Sequence, residues 1–271
     1  MKKVFALFLL IFISAGISRA QNLPAIDSLI IQGKEQIQQA VNTWNGQKML
    51  AARAFFERLL NDPTYPWLIH YYIGYADRGI VNFYFSQKNK KKAKEFVNDG
   101  IQHLKKSVEL KDDFGESYAL LSSLYGTKIG LSPLLGITLG PKSGRMQQRA
   151  FELAPENPRV SLIAGESAYY TPKMWGGGKE KALKHLQKAI EYFQTFKSEK
   201  PILPTWGHEE AYAYLGLIQM ERKNFAEAKD SFEKALEINP NYGWVKFVLM
   251  KELEKKMAKE VKEVKNEDEK N

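Results

Sequence analysis

Four histidines, His70, His103, His185 and His208, are the residues of this 271-residue chain best suited to acid–base or metal chemistry. None stands one helical turn from another, the spacing that would aim two imidazoles at one ion from a single helix face. His208 opens HEE, but the second histidine that H-E-x-x-H requires is missing. WGGGKE, at 175–180, looks like a phosphate loop only in part. A G-x4-G-K-[ST] loop needs glycine at 173 and a hydroxyl at 180, where the chain has Lys173 and Glu180. No serine occupies a G-x-S-x-G turn. The chain has no cysteine, which removes thiolate nucleophiles, disulfides and cysteine metal sites. The expectation is a non-enzyme with no catalytic, cofactor-binding or metal residues. The remaining concentrations of side chains suit recognition: Tyr71, Tyr72, Tyr75, Phe83, Tyr84 and Phe85 in one neighbourhood, and Lys88, Lys90, Lys91, Lys92 and Lys94 in QKNKKKAK.

The elements that must position these residues are helices. Residues 209–240 read EEAYAYLGLIQMERKNFAEAKDSFEKALEINP, with Leu215-Gly216 early, then Ala228, Phe232 and Ala235 at helical spacing, and Pro240 closing. Small residues at Gly216, Ala228 and Ala235 let two antiparallel helices approach, while Leu215, Phe225 and Phe232 fill the space between them. Pro240 ends the second helix because it lacks an N–H. This stretch resembles a tetratricopeptide repeat, whose pattern W-x2-L-G-x2-Y, A-x3-F, P spans about 34 residues. Tyr212 stands in place of the tryptophan and Gln219 departs from the second aromatic.

One such hairpin cannot bury its apolar face alone, so neighbours are expected. Leu104, Ser107 and Asp112 take the places of Phe232, Ala235 and Pro240, and Tyr118, Leu121, Ser122 and Tyr125 open the next helix. Ala150 and Pro155 close another register, and Ala182, Leu186 and Ala189 mark a further second helix. Ile73-Gly74 follows a helix bearing Ala51 and Phe55. Successive registers at Ser107, Ala150, Ala189 and Ala235 lie 43, 39 and 46 residues apart, so extra chain sits in loops or longer helices. Glycine and proline punctuate 126–143 (GTKIGLSPLLGITLGPKS) and 171–178 (TPKMWGGG), which read as loop insertions on one edge. The fold class is all-α: a right-handed α-solenoid of four to five tetratricopeptide-like hairpins spanning 21–250. A capping helix begins near Tyr242, with Trp244, Phe247, Leu249 and Met250 against the last repeat. A charged helix or tail follows at 251–271, its Glu and Lys alternating in i,i+4 pairs.

The resemblance implies a concave groove lined by the first helix of each hairpin. By register that face carries Tyr71, Tyr75 and Arg78, then Ser123 and Thr127, then Leu162, Glu166 and Tyr169, then Ala213, Leu217 and Met220. Trp175, in the glycine-rich insertion, joins Tyr71, Tyr75, Arg78, Ser123, Thr127, Tyr169, Leu217 and Met220 as a partner-binding candidate. The lysine with which some relatives clamp a peptide carboxylate is replaced by Tyr71, Ala119 and Ala213, so a carboxylate clamp is not expected. An exposed IGLSPLLGITL, at 129–139, would be an apolar patch needing a partner. A second resemblance covers 157–196. Pro172, Trp175, Gly176-Gly177, Ala182, Leu186 and Ala189 are similar to the T-component family of TRAP-type transporters, which implies an accessory role in solute transport or the cell envelope.

Residues 1–20 (MKKVFALFLLIFISAGISRA) have two lysines, an apolar run over 4–17, and small residues at positions 18 and 20, the pattern of a cleavable signal peptide cut after Ala20. The expected location is periplasmic or secreted, without a lipid anchor, for want of a cysteine. No later run is long enough to span a bilayer. Loss of Lys2, Lys3 and Arg19 takes the net charge from +9 to +6. The lysine cluster reads as a solvated helix start, or as a steering patch for anionic partners such as lipid head groups or acidic polymers. Nucleic acid is not an expected partner, because no stacking aromatics interleave the lysines. The function that follows is a non-catalytic protein- or peptide-binding scaffold of the cell envelope. A small-molecule-binding transport accessory is the alternative, recognisable by an enclosed pocket under the two insertions.

Overall fold

The computed structural model describes residues 25–268, with side chains through 263. Residues 1–20, where a signal peptide is expected, lie outside them. Eleven α-helices follow one another among the described residues: α1 (Ala25–Asn42), α2 (Gly46–Glu57), α3 (Pro66–Ser86), α4 (Lys90–Leu110), α5 (Gly115–Leu131), α6 (Gly136–Leu153), α7 (Pro158–Tyr170), α8 (Lys179–Thr195), α9 (His208–Glu221), α10 (Phe225–Ile238) and α11 (Met250–Asp268). Each odd helix packs antiparallel on the even helix after it, which makes five hairpins in a right-handed solenoid.

The hairpins share one close approach. A Cβ added to Gly216 would lie 2.4 Å from the Phe232 ring, so only glycine lets α9 and α10 meet there. Gly33 meets Phe56, Gly74 meets Leu104 and Gly165 meets Leu186 in the same way. The third hairpin departs from this: Ser122 Oγ donates to the Ser143 carbonyl at 2.9 Å where the others have a glycine. Ala228, Phe232 and Ala235 are fully buried, and so are Ala182, Leu186 and Ala189. Asparagine side chains at Asn45, Asn89 and Asn157 accept from backbone N–H groups of α2, α4 and α7, satisfying donors that the first turn of a helix leaves free.

Two expectations need correction. The stretch 126–143 is helical apart from Ser132 and a 3-10 turn, Pro133–Leu135. An added Cβ at Gly126, Gly130, Gly140 or Gly144 would touch nothing within 4 Å, because here α5 and α6 run beyond the stack into open space. Their helical bonds are made within each helix, so no core periodicity is needed to hold them. Only the 171–178 segment is a true loop, with a 3-10 turn at Lys173–Trp175 and left-handed backbone at Gly176 and Gly178. The cap also differs in detail. Tyr242, Val245, Leu249 and Leu253 supply its buried face, while Phe247 points outward. The π-helical turn at Val245–Leu249 shifts the register that a uniform α-helix would have kept.

The two ends of the solenoid meet. Asn239 Nδ2 donates to Asn42 Oδ1 at 2.9 Å, Trp44 stacks on Trp244 with ring centroids 6.5 Å apart, and a Cβ at Gly243 would sit 2.6 Å from the Asn42 carbonyl. The end of α1 therefore closes against the end of α10 and the start of the cap. The inner faces of the odd helices surround a common interior.

Candidate partner-binding groove

Residues 196–207, between α8 and α9, pass through that interior. They read FKSEKPILPTWG; the Leu203 N–H donates to the Lys200 carbonyl at 3.0 Å, closing a turn around Pro201, and irregular backbone without a turn runs from Pro204 to Gly207. Ile202, Pro204, Trp206 and Gly207 are buried. Groups from the inner helices receive the segment's backbone carbonyls. Tyr72 Oη donates to Ile202 O at 2.6 Å, Lys34 Nζ donates to the carbonyls of Pro201 and Leu203, and Arg159 Nη1 reaches Trp206 O at 3.5 Å. Trp206 is the anchor. Its ring stacks on Tyr75 at 4.5 Å and 16°, its Nε1–H donates to Tyr71 Oη at 3.0 Å, and the Arg78 guanidinium lies 5.6 Å from the ring centre. At the other end of the segment Arg159 stands 4.4 Å over the Phe196 ring.

Two charged clusters hold the inner helices beneath it. Glu116, on α5, accepts two hydrogen bonds of 2.8 Å from Arg159, one of 2.8 Å from Asn157, and one of 3.0 Å from Tyr71. Arg78, on α3, donates to Glu166 at 2.8 Å and to Glu210 at 2.6 Å, and Tyr214 donates to Glu166 at 3.0 Å. These side chains come from α3, α5, α7 and α9, so each cluster ties several hairpins together. Such charges are tolerated out of water only because they are paired and multiply bonded.

Burial sets the protonation states. It pushes the phenols of Tyr71, Tyr75 and Tyr214 well above their ordinary value, so they remain donors. Burial also raises the Glu210 carboxyl, against the opposing pull of Arg78. Lys34 is lowered to about 8, by burial first and by the Arg159 charge second. The space left beside the segment, among Lys34, Ile37, Gln38, Tyr72, Tyr75, Thr205 and Trp206, is about 30 Å³, enough for a single water. The arrangement grips the carbonyls of a turn and an indole.

The nine sequence-derived candidates separate accordingly. Tyr71, Tyr75 and Arg78 come together around Trp206. Ser123 is buried on α5, with its carbonyl accepting from Thr127 Oγ1 at 3.0 Å. Leu217 and Met220 are buried in α9, and Tyr169 bonds to Glu221 at the end of that helix. Trp175 is 74% exposed on an edge turn, away from the interior. Sequence reasoning missed Lys34, Glu116, Arg159 and the whole 196–207 segment. One signal was available: the longest of the repeat spacings, between Ala189 and Ala235, contains two prolines and a tryptophan.

Comparison with known proteins agrees with this architecture. The tetratricopeptide repeat family matches residues 209–242. The chain carries a tetratricopeptide repeat. No curated protein matches it at a significant level. Among solved structures it is similar to the HusA haemophore from Porphyromonas gingivalis, at 23% identity and TM-score 0.61, covering 74% of this chain and 96% of that one. It also matches the APC/C hetero-tetramer Cut9-Hcn1, at 17% identity and TM-score 0.45 over 81% of this chain and 38% of the other. Yeast Tom70 matches at 13% identity and TM-score 0.24, over 90% and 66%. At 23% identity the likeness to HusA is one of fold. The tetratricopeptide solenoid is thus common ground between sequence and structure, and a protein-interaction scaffold is the role its architecture suggests.

Proposed function

We propose that this tetratricopeptide solenoid is a non-catalytic scaffold that binds a protein segment in the periplasm or outside the cell, after signal cleavage at Ala20. The observation that carries the reading is the seating of 196–207 in the interior. Three side chains receive its carbonyls, and an indole stacks on Tyr75 with the Arg78 guanidinium near its ring. This is the chemistry of peptide recognition: backbone bonds for affinity and a side-chain pocket for specificity. A partner segment with an aromatic two residues after a proline would compete for the same contacts, so Tyr71, Tyr75 and Arg78 become accessible when the chain's own segment leaves.

The transport-accessory reading calls for an enclosed pocket under the turns at 132–135 and 171–178. Those turns face solvent, with Leu134 and Trp175 exposed. HusA is named a haemophore, but a likeness of fold carries no ligand to this chain, and the interior here is filled.

The test replaces 196–207 with a glycine–serine linker of equal length and adds the labelled peptide FKSEKPILPTWG in trans. Saturable binding that is lost on Tyr75→Ala supports the proposal. A folded linker variant that ignores the peptide overturns it. Crosslinking in cells with wild-type and linker forms would then identify the natural partner by its enrichment on the latter.

A further inference from the structure

The most exposed large apolar side chains are not scattered over the surface. Leu134 (90%), Ile137 (84%), Met174 (82%), Trp175 (74%) and Tyr170 (64%) all lie at or beside the α5–α6 and α7–α8 turns, and half-exposed Phe85 lies at the α3–α4 turn. These three turns each connect an odd helix to the following even one, so they fall on the same edge of the solenoid. The α7–α8 turn is further tied along that edge to the next hairpin, where Arg222 donates to Glu180 at 2.8 Å.

Charge follows the same edge. From Ser117 to Phe151 the chain contains Lys128, Lys142, Arg145 and Arg149 and no carboxylate; Lys173 precedes Met174 and Trp175, while Lys179 and Glu180 after them are paired with Glu221 and Arg222. Lys88, Lys90, Lys91, Lys92 and Lys94 follow Phe85, with no acid until Glu95. On the opposite edge the turns after α2, α4 and α6 carry carboxylates, Asp62, Asp112 and Asp113, and Glu156, and the α8–α9 connection mixes Lys197 and Lys200 with Glu199. Among the described residues Lys88, Lys90, Lys91, Lys128, Lys142 and Lys173 make no ion pair within the chain.

We infer that this edge docks on the surface of an anionic lipid bilayer. Each turn offers an apolar tip short enough to enter the interfacial layer, and lysines placed to stay at the head groups on aliphatic stems. A tryptophan at the tip suits the interface, where one side of the ring is apolar and the other is wet. The apolar tips are on separate turns, each bordered by cations. A fluid bilayer accepts separate shallow insertions, whereas a protein partner of ordinary affinity needs one contiguous, complementary surface. Attraction to acidic head groups then adds about a fivefold gain in affinity for each lysine near the surface.

The experiment uses the chain beginning at Gln21, so that the apolar run at 4–17 does not itself insert. Among the described residues every buried core residue lies between Ile26 and Leu253, all of which this chain retains. Co-sedimentation is measured with neutral phosphatidylcholine vesicles and with vesicles that also contain phosphatidylglycerol. Binding is expected to the anionic vesicles only and to weaken in high salt. The pair Lys128→Gln and Lys142→Gln should lower affinity by about 25-fold at low salt, two such lysine contributions. Leu134→Ser with Ile137→Ser, and Met174→Ser with Trp175→Ser, should each abolish most binding while the melting temperature stays unchanged, because these side chains pack against little. Absence of vesicle binding overturns the inference, as does binding that survives all four apolar substitutions. Loss of a protein interaction in these variants, without vesicle binding by the parent, would assign the edge to a protein partner and also overturn it.

Discussion

Replacing Trp206 with alanine isolates the inner segment from the solenoid around it. The side chain is 6% exposed, stacks on Tyr75 and donates to Tyr71, so its removal costs about 3–5 kcal/mol, the usual range for a buried tryptophan. Tyr71 keeps its bond to Glu116, so the substitution strands no polar group beneath. The helices pack on one another through Gly216–Phe232 and its counterparts, which do not involve the segment. The loss should therefore fall on the docking of 196–207 and raise its open population by roughly two to three and a half orders of magnitude, at 1.4 kcal/mol per tenfold. Lys197 is exposed and followed by serine, while the Lys200–Pro201 bond resists trypsin. Limited digestion followed by mass spectrometry should show cutting at Lys197 accelerating by that factor while cuts within α3, α4, α9 and α10 stay slow. If every site accelerates together, the segment is an inseparable part of the core and the reasoning fails. If Lys197 is unaffected, Trp206 does not hold the segment down.

Two further outcomes follow from the buried polar groups. Glu116→Ala leaves the Arg159 guanidinium, 1% exposed, without its carboxylate, and urea melts should show a loss of about 3–5 kcal/mol. The double variant Glu116→Leu, Arg159→Met should recover much of that loss; equal destabilisation by the two would show that the charge pair is not the cause. The second outcome concerns pH. His70 and His103 share a 2.9 Å Nδ1···Nδ1 contact between α3 and α4, which requires one ring to donate and the other, neutral at Nδ1, to accept. Burial first, then His70 and Arg53, hold His103 down at about 4, and burial with Lys106 lowers His70. The unfolded chain thus binds protons that the folded one refuses. The stability this pair contributes is complete above about pH 6.5 and is lost as pH falls toward 4. His103→Gln should flatten that acid limb in urea titrations, and an unchanged slope between those values would refute the assignment.

The repeat was legible because its determinants are local. Gly216, Ala228, Phe232 and Ala235 act within one hairpin, and their spacing along two short helices is enough to specify how those helices meet. The same holds for Gly74 and Leu104, even where the surrounding pattern had decayed, whereas the close approach of Gly165 to Leu186 emerged only in the structure. The helical extension at 126–143 was not legible. Helices that leave the stack carry no buried stripe, and glycine and proline there read as breakers although Pro141 sits within α6.

The groove divides differently. Register along α3 was enough to put Tyr71, Tyr75 and Arg78 on the inner face, because a helix assigns faces by its own period. What lies against that face was decided by contacts far apart in the chain. Arg78 reaches Glu210, Trp206 reaches Tyr71, and Asn239 reaches Asn42. No local pattern encodes such pairs. They exist because the slight rotation between neighbouring hairpins accumulates until the first meets the last and encloses the segment between α8 and α9. The residues of this protein determine its hairpins one at a time; only their summed curvature turns an open groove into a filled interior.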